Sequence, residues 1–241
     1  RYLLGALEGF SDDEKVDVAE MPELERYMLH LLAEMDAKLK VAVGDFDFNS
    51  YVRLLSDFAN EDLSAFFFDI RKDVLYCDVN PVTGYQTERR KAYRTALDIL
   101  FHAMVRYAAP VLVFTAEEVW GTRFPDAGSV HLLEWPILPK VETGPASAID
   151  QNDAFLVAFD EVARAASPHQ HPADELTQKW SRLRDYRSDV SEAIEPLRRE
   201  KQVGSSLAAE IEIDVHRDED TTLLQTTDLM EMFISGNVKL V

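Results

Sequence analysis

Apolar residues between Pro22 and Val43 recur at intervals of three and four positions. The set comprises Leu24, Met28, Leu31, Met35, Leu39 and Ala42. This spacing predicts an amphipathic helix with one buried stripe. The solvent face of that helix is expected to carry Glu23, Glu25, Glu34 and Lys38. Pro22 suits the first helical turn, where its missing N–H is not needed. Because similar spacing recurs further along the chain, the sequence predicts a mainly helical protein.

Two further helices are predicted directly after this one. Asp47 is a suitable N-cap for the second, whose inner face would consist of Phe48, Val52, Leu55 and Phe58. Asn60 could cap the third, whose buried face would consist of Leu63, Phe67, Ile70 and Val74. The consecutive rings of residues 66–68 cannot all face one way. We therefore expect one of them at an interface with another helix.

A loop with Asn80-Pro81 and Gly84 precedes a long helix predicted from about Gln86 to Ala109. Its stripe consists of Tyr93, Leu97, Leu100, Met104 and Tyr107. Pro110 should end or kink it. Thr115, with Glu118 three positions later, resembles a capping box that opens a short helix. Residues 124–145 lack periodicity and suggest an extended crossover, with a short strand as one possibility for residues 130–135.

The second half predicts helices near residues 152–166 and 173–203, the latter kinked or broken at Pro196. Alternation in residues 210–216 predicts a half-buried strand. Residues 229–234 and 238–241 look like further strands, with a helix between 217 and 228. The fold class is therefore mainly α, a helical bundle followed by a small α/β unit. The predicted domains are 1–145, 146–208 and 209–241.

Composition narrows the class of protein. Hydrophobic residues make up 46% of the 241 residues, which is enough for a substantial core. No apolar run approaches the length of a membrane span, and no secretory signal opens the chain. Cys77 is the single cysteine, which excludes an intrachain disulfide and a thiolate zinc cluster. We expect Cys77 to be a small apolar filler near a helix end, in a soluble cytoplasmic protein.

The formal net charge of −19 opposes nucleic-acid binding on average. A local basic surface can still bind phosphate while the rest of the molecule provides solubility. The chain offers three basic clusters. They are Arg71 with Lys72; Arg89, Arg90, Lys91 and Arg94; and Arg198, Arg199 and Lys201 just before Gly204, Ser205 and Ser206. The third is preferred because a basic helix end leads into glycine and two hydroxyls.

Each cluster also has a structural interpretation. Arg71 and Lys72 could pair with neighbouring Asp69 and Asp73 and hold the bundle together. Cations at a helix start, such as Arg89, are disfavoured by the helix dipole, which slightly favours an external partner. The third cluster could simply be a solvated helix face.

The sequence gives less support for a metal site or a catalytic site. His169 and His171 lack a third ligand at helical spacing, so no metal site is predicted. Glu117 and Glu118 are expected as surface and capping groups, so no catalytic residue is assigned. Trp120, Trp135 and Trp180 are expected to be packing anchors.

Several strings in the first two hundred residues are more informative than periodicity. Residues 62–73 read DLSAFFFDIRKD and are followed by LYCD at 75–78. Flanking strings are MPELE at 21–25, APVL at 109–112, FTAEE at 114–118 and SVHL at 129–132. In this order the strings resemble the C-terminal anticodon-binding region of bacterial isoleucyl-tRNA synthetases, and the resemblance covers residues 1 to about 208.

The resemblance implies binding of the tRNA(Ile) anticodon within an ATP-dependent ligase. HIGH-like and KMSKS-like strings and an editing domain do not occur here, so this piece should need no cofactor and lack the active site. ATP and Mg would act in the full-length enzyme, whose catalytic and editing domains would be partners of this region in one monomeric chain. The corresponding region of a valyl or leucyl enzyme, and a helical protein-interaction domain without RNA binding, remain alternatives.

Overall fold

The chain divides into two units, Arg1–Val141 and Glu142–Val241. The computed structural model describes residues 1–80, 82–141, 172–204, 207, 209–215 and 217–241, with the side chains of 172–174 left out. The predicted helix near residues 152–166, the two histidines at 169 and 171, and the two serines at 205 and 206 lie outside this range. The division predicted at residue 209 stays a prediction.

The first unit is a helical bundle. Its helices are α1 Tyr2–Ala6, α2 Glu23–Gly44, α3 Phe48–Asp57, a π-helical segment Phe58–Phe68, α4 Asp69–Cys77, α5 Glu88–Ala108 and α6 Val113–Arg123, with short 3-10 turns at Asp12–Glu14, Val18–Glu20 and Val130–Leu132. Its core contains most of the predicted stripes of α2 and α5, including Met28, Leu39, Tyr93 and Leu97, whereas Leu31 and Met104 are only half-buried. A mainly helical fold with a bundle is therefore confirmed.

The second unit is smaller and contains both helix and sheet. Its described elements are α7 Pro172–Arg199, β1 Glu210–Ile213, α8 Asp218–Gln225, α9 Leu229–Phe233 and β2 Asn237–Leu240. The two strands pair in parallel, with Ile211 opposite Val238. Helix α7 continues through Pro196 and ends at Arg199. No helix among the described residues is long and apolar enough to cross a membrane.

The structure corrects several predictions in the first unit. Glu25, predicted to face solvent, is buried against Arg71. Asn60 caps nothing, because α3, the π-helical segment and α4 follow one another without a break. Thr115 does not cap α6, which already begins at Val113. Residues 130–132 form a 3-10 turn instead of a strand. Cys77 lies at a helix end as predicted, but it is exposed and is therefore not an apolar filler.

The apolar face of α3 also differs from the prediction. Asp47 caps this helix as predicted, because its carboxylate accepts a hydrogen bond from the Ser50 amide at 3.0 Å. Leu55 is buried as predicted, but the helix buries Tyr51 and leaves Phe48 and Val52 exposed. Burial of Tyr51 is reinforced by a 2.8 Å hydrogen bond from its hydroxyl to the Tyr107 carbonyl. The buried stripe is thus rotated around the helix from the predicted one.

In the second unit, residues 229–233 are helical where a strand was predicted. Asp228 explains the difference, since its carboxylate accepts from the Glu231 amide at 3.1 Å and so caps a helix. Ile234 then closes that helix in the left-handed conformation, with φ of 52°. Hydrogen bonds from the amides of Ile234 and Ser235 to the carbonyls of Glu231 and Met230 complete this closure.

Candidate nucleic-acid interface

Arg71 is a buried cation of the bundle. It is 4% exposed, and Glu25 is fully buried. The guanidinium donates from Nε to Oε1 of Glu25 at 2.7 Å and from a terminal nitrogen to Oε2 at 2.9 Å. A bidentate pair of this kind satisfies both charges away from water. The sequence interpretation that Arg71 holds the bundle together therefore fits, with Glu25 as the partner seen in the structure.

Arg94 is buried in the same manner, at 3% exposure. It donates to the Glu14 carboxylate at 2.6 Å and to the backbone carbonyls of Ala6 at 3.2 Å and Glu8 at 2.7 Å. Its guanidinium also lies 5.3 Å from the centroid of the Phe10 ring. Arg94 thus fixes the chain that follows α1 onto α5, and its donors point into the fold.

The start of α5 carries three further cations. Arg90 is half-buried and donates to the Leu75 carbonyl at 2.7 Å and to the Gln86 side chain. Burial lowers the pKa of Arg90, and the nearby positive charge of Arg94 lowers it further. Lys91 pairs with Glu88 at 2.8 Å. Arg89 is half-buried and has interactions within the fold. The side chains of this cluster therefore interact mainly with residues of the first unit.

Lys72 is more accessible than its neighbour Arg71. Its ammonium group pairs with Asp69 at 3.0 Å, one of the two partners predicted from sequence. Because this is an exposed i,i+3 pair, its contribution to stability is small. Arg71 and Lys72 are adjacent in sequence, yet one lies in the core and the other at the surface.

The cations at the end of α7 have a different environment. Arg198, Arg199 and Lys201 are all exposed. Arg198 pairs with Glu195 at 3.1 Å on the helix surface. For Arg199 and Lys201, no hydrogen bond or ion pair of the side chain is seen to any residue that the structure describes. Among the predicted clusters, this one alone presents all its described cations to solvent.

The backbone after α7 forms a Schellman closure with Lys201 at its left-handed position. The Lys201 amide donates to the Arg198 carbonyl at 3.1 Å, and the Gln202 amide donates to the Leu197 carbonyl at 2.9 Å. Lys201 has φ of 58°, a conformation that usually favours glycine. The positive side chains lie at the helix end where the macrodipole is negative, which stabilises them locally. The fold thus gathers Arg198, Arg199 and Lys201 at one turn.

Exposed aromatic rings are a feature that the sequence analysis missed. Phe46, Phe48 and Phe114 are 78%, 62% and 89% exposed. Phe48 had been placed in the core because it fits a helical stripe. The acidic neighbours Asp45 and Asp47 were the signal available, since a polar turn on both sides of Phe46 favours solvent over core. Such rings are the groups on which unpaired bases stack.

The sequence of this chain is similar to those of known proteins. A family described as the anticodon-binding domain of tRNA ligase matches residues 25–213. An isoleucine–tRNA ligase of Zymomonas mobilis is 54% identical over 242 residues, which cover 100% of this chain and 22% of that protein. Those of Ruegeria pomeroyi and Agrobacterium fabrum are 38% and 36% identical, over 99% and 100% of this chain and 21% of each relative.

The chain spans about a fifth of the length of the curated relatives that it matches. The matched family region includes most of the bundle, all of α7 and the exposed cations at its end. The chain therefore belongs to the family described as the anticodon-binding domain of tRNA ligase.

Proposed function

We propose that this chain binds the anticodon arm of tRNA(Ile) as the anticodon-binding region of an isoleucine–tRNA ligase. The name shared by its relatives supports the choice of isoleucine. The observation that carries RNA contact is the exposed cationic turn of Arg198, Arg199 and Lys201 within the matched region. On a chain of net charge −19, such a turn provides the local positive surface that phosphate requires.

The cationic turn would hold the RNA backbone, and its neighbours would contribute further contacts. Arginine can donate two hydrogen bonds to one phosphate, whereas Lys201 acts as a point charge. The exposed pair between Arg198 and Glu195 is weak and can give way to phosphate. Ser205 and Ser206 stay in the proposal as hydroxyl donors to phosphate or ribose. Arg71, Arg90 and Arg94 are left out, because their donors serve the bundle.

The bound anticodon arm would set the position of the whole tRNA. Binding energy spent at the anticodon orients the 3′ end towards a distant active site. A wrong anticodon would leave polar groups unpaired, which is the usual physical source of discrimination. In the full-length protein we propose ATP-dependent aminoacylation with Mg, by catalytic and editing domains of the same monomeric, cytoplasmic chain.

A titration of this chain with tRNA tests the proposal. We expect salt-sensitive binding to an isoleucine-anticodon tRNA and weaker binding to the same tRNA with a swapped anticodon. Equal affinity for both RNAs would contradict anticodon recognition. Preference for a valine or leucine anticodon would reassign the chain to a related enzyme. No binding at any salt concentration would favour a protein-interaction domain, the role that the acidic composition also suits.

A further inference from the structure

One end of the bundle exposes an unusual concentration of apolar side chains. It is the end at which α2 terminates, α3 begins and α5 terminates. Its exposed residues include Val43, Phe46, Phe48, Leu112, Val113 and Phe114. Scattered single exposures are ordinary, but a group of this kind usually marks a contact surface.

Hydrogen bonds show that these residues share one end of the first unit. The Tyr51 hydroxyl in the first turn of α3 donates to the Tyr107 carbonyl in the last turn of α5, at 2.8 Å. Trp135 donates to Asp36 on α2 at 2.5 Å, and its ring packs 5.0 Å from that of Tyr107. His131 lies 3.1 Å from the Val113 carbonyl, which ties the 3-10 turn to the start of α6.

Phe46 and Phe48 form the aromatic part of this end. Their ring centroids are 6.3 Å apart, and the ring planes meet at 80°. Phe46 occupies the left-handed position of a Schellman closure, with φ of 57°. The Asp47 amide donates to the Ala42 carbonyl at 2.8 Å, and the Phe46 amide donates to the Val43 carbonyl at 3.2 Å. Glycine would fit this position with less strain, so folding alone does not explain an exposed phenylalanine there.

Cations are present on both helices that meet at this turn. Lys40, near the end of α2, pairs with Asp36 at 2.7 Å, and its side chain is 58% exposed. Arg53 on α3 is also exposed. The pKa of Asp47 is lowered mainly by hydrogen bonds from Ser50, with the charge of Arg53 as the smallest cause. The Asp47 carboxylate accepts a hydrogen bond from the Ser50 amide and is thus engaged within the turn.

We infer that Phe46 and Phe48 form a stacking platform for unpaired bases of the tRNA anticodon loop, with Lys40 and Arg53 beside the RNA backbone. The inference rests on the proposed function. Every base has a π-face, so aromatic stacking binds single-stranded RNA with little dependence on sequence, and neighbouring cations hold the phosphates. Aromatic rings also occur in protein interfaces, but an interface of that kind would not quench a base of bound RNA.

Anticodon stem-loops with 2-aminopurine at single loop positions test the platform, because stacking quenches this base. Phe48→Leu keeps apolar bulk and removes the π-face, whereas Phe48→Tyr keeps the ring. Phe46→Gly removes the ring and relieves the left-handed strain. Tyr76→Leu is the matched control, since Tyr76 is 68% exposed at the end of α4, towards the opposite end of the bundle.

We expect quenching at one or more loop positions for the wild type, for Phe48→Tyr and for Tyr76→Leu. Phe48→Leu and Phe46→Gly should lose that quenching and bind about five- to a hundredfold more weakly. Phe46→Gly should also raise the midpoint of thermal unfolding, so weaker binding cannot be ascribed to a damaged fold.

Unchanged quenching and affinity in both phenylalanine variants would overturn the platform while leaving anticodon binding intact. If the wild type binds no RNA at any salt concentration, both the proposed function and the platform are contradicted. The wild type could also self-associate, and both phenylalanine variants could abolish this while RNA affinity stays unchanged. That result would assign this end of the bundle to protein contact and would likewise overturn the inference.

Discussion

The cations of the bundle and the cations at the end of α7 are chemically alike but differ in surroundings. Arg71 and Arg94 are 4% and 3% exposed, and each has a carboxylate partner within its unit. Arg199, the last residue of α7, and Lys201, two positions further on, are both exposed. The first pair stabilises a fold, and the second can meet a polyanion. Burial and pairing, more than the presence of arginine, separate the structural cations of this acidic chain from the cations that we propose to bind RNA.

The physical basis of the difference is desolvation. A buried guanidinium is tolerated only with its charge and hydrogen bonds satisfied, so its donors are fully committed. An exposed guanidinium keeps its hydration and exchanges water and counterions for phosphate. The comparison therefore predicts that substitutions of the buried, paired cations of the bundle change stability, whereas substitutions of the exposed cations at the end of α7 change binding.

The largest expected effect is that of Glu25→Gln. It leaves the Arg71 charge buried without its counter-charge, and should lower the unfolding free energy of the first unit by about 3–5 kcal/mol. Urea unfolding in a Trp180→Phe background, where fluorescence comes from Trp120 and Trp135 of this unit, measures the loss. The double variant Glu25→Met with Arg71→Met is the control and should recover most of it. A loss below about 1 kcal/mol would show that the Glu25–Arg71 pair contributes little to the stability of the fold.

Charge reversal at the end of α7 should have the opposite profile. Arg198→Glu with Arg199→Glu should lower the unfolding free energy by only about 0.5–2 kcal/mol, because both side chains are exposed and lose mainly their interaction with the negative end of the helix dipole. Affinity for the anticodon stem-loop should fall at least about tenfold. The slope of log affinity against log salt concentration should become shallower by roughly one phosphate contact for each arginine replaced. Lys239→Glu on β2 changes the net charge by half as much. A loss of binding free energy about half as large in this variant would show a non-specific effect of net charge.

Lys201→Gly separates stability from binding at one residue. Glycine accepts the left-handed backbone that Lys201 adopts, so the unfolding free energy should rise by about 1 kcal/mol. RNA affinity should fall because one positive charge is lost. Chemical unfolding followed by circular dichroism and a parallel RNA titration give the two values. Lower stability would contradict the Schellman geometry, and unchanged affinity would remove Lys201 from the interface.

A pH dependence confined to the bundle is also expected. Burial raises the pKa of Tyr51 from its ordinary value near 10 to about 12. The neutral hydroxyl is thus favoured in the folded state, and its contribution is complete below pH 10 and lost as the pH rises towards 12. The stability of the wild type should therefore decline more steeply over this interval than that of Tyr51→Phe. Equal slopes would show that Tyr51 does not stay protonated in the fold.

Much of the fold was accessible from local sequence. The stripes of α2 and α5 run through many turns, so periodicity and caps such as Asp47 determined them well. Shorter segments were ambiguous. On α3, the sets beginning at Phe48 and at Tyr51 share Leu55 and Phe58, and periodicity could not choose between them. The Tyr51 hydrogen bond to the Tyr107 carbonyl, between residues 56 apart in sequence, favours the observed one.

The interface was less predictable for a related reason. Arg71 and Arg198 both sit in basic, helical sequence, and their immediate neighbours include acids in each case. Glu25 lies 46 residues from Arg71, and its approach follows from tertiary packing that no local pattern encodes. Likewise Phe46 is exposed because a Schellman closure turns the chain there, and that closure usually carries glycine.

Lysine acetylation footprinting of one chain, with and without saturating anticodon stem-loop RNA, tests the central claim most directly. Lys201 stands on the exposed cationic turn, whereas Lys72 and Lys91 belong to the bundle clusters and pair with Asp69 and Glu88. We predict that RNA protects Lys201 from acetylation and leaves the rates at Lys72 and Lys91 unchanged. Protection of Lys72 and Lys91 with an unchanged rate at Lys201 would contradict the claim.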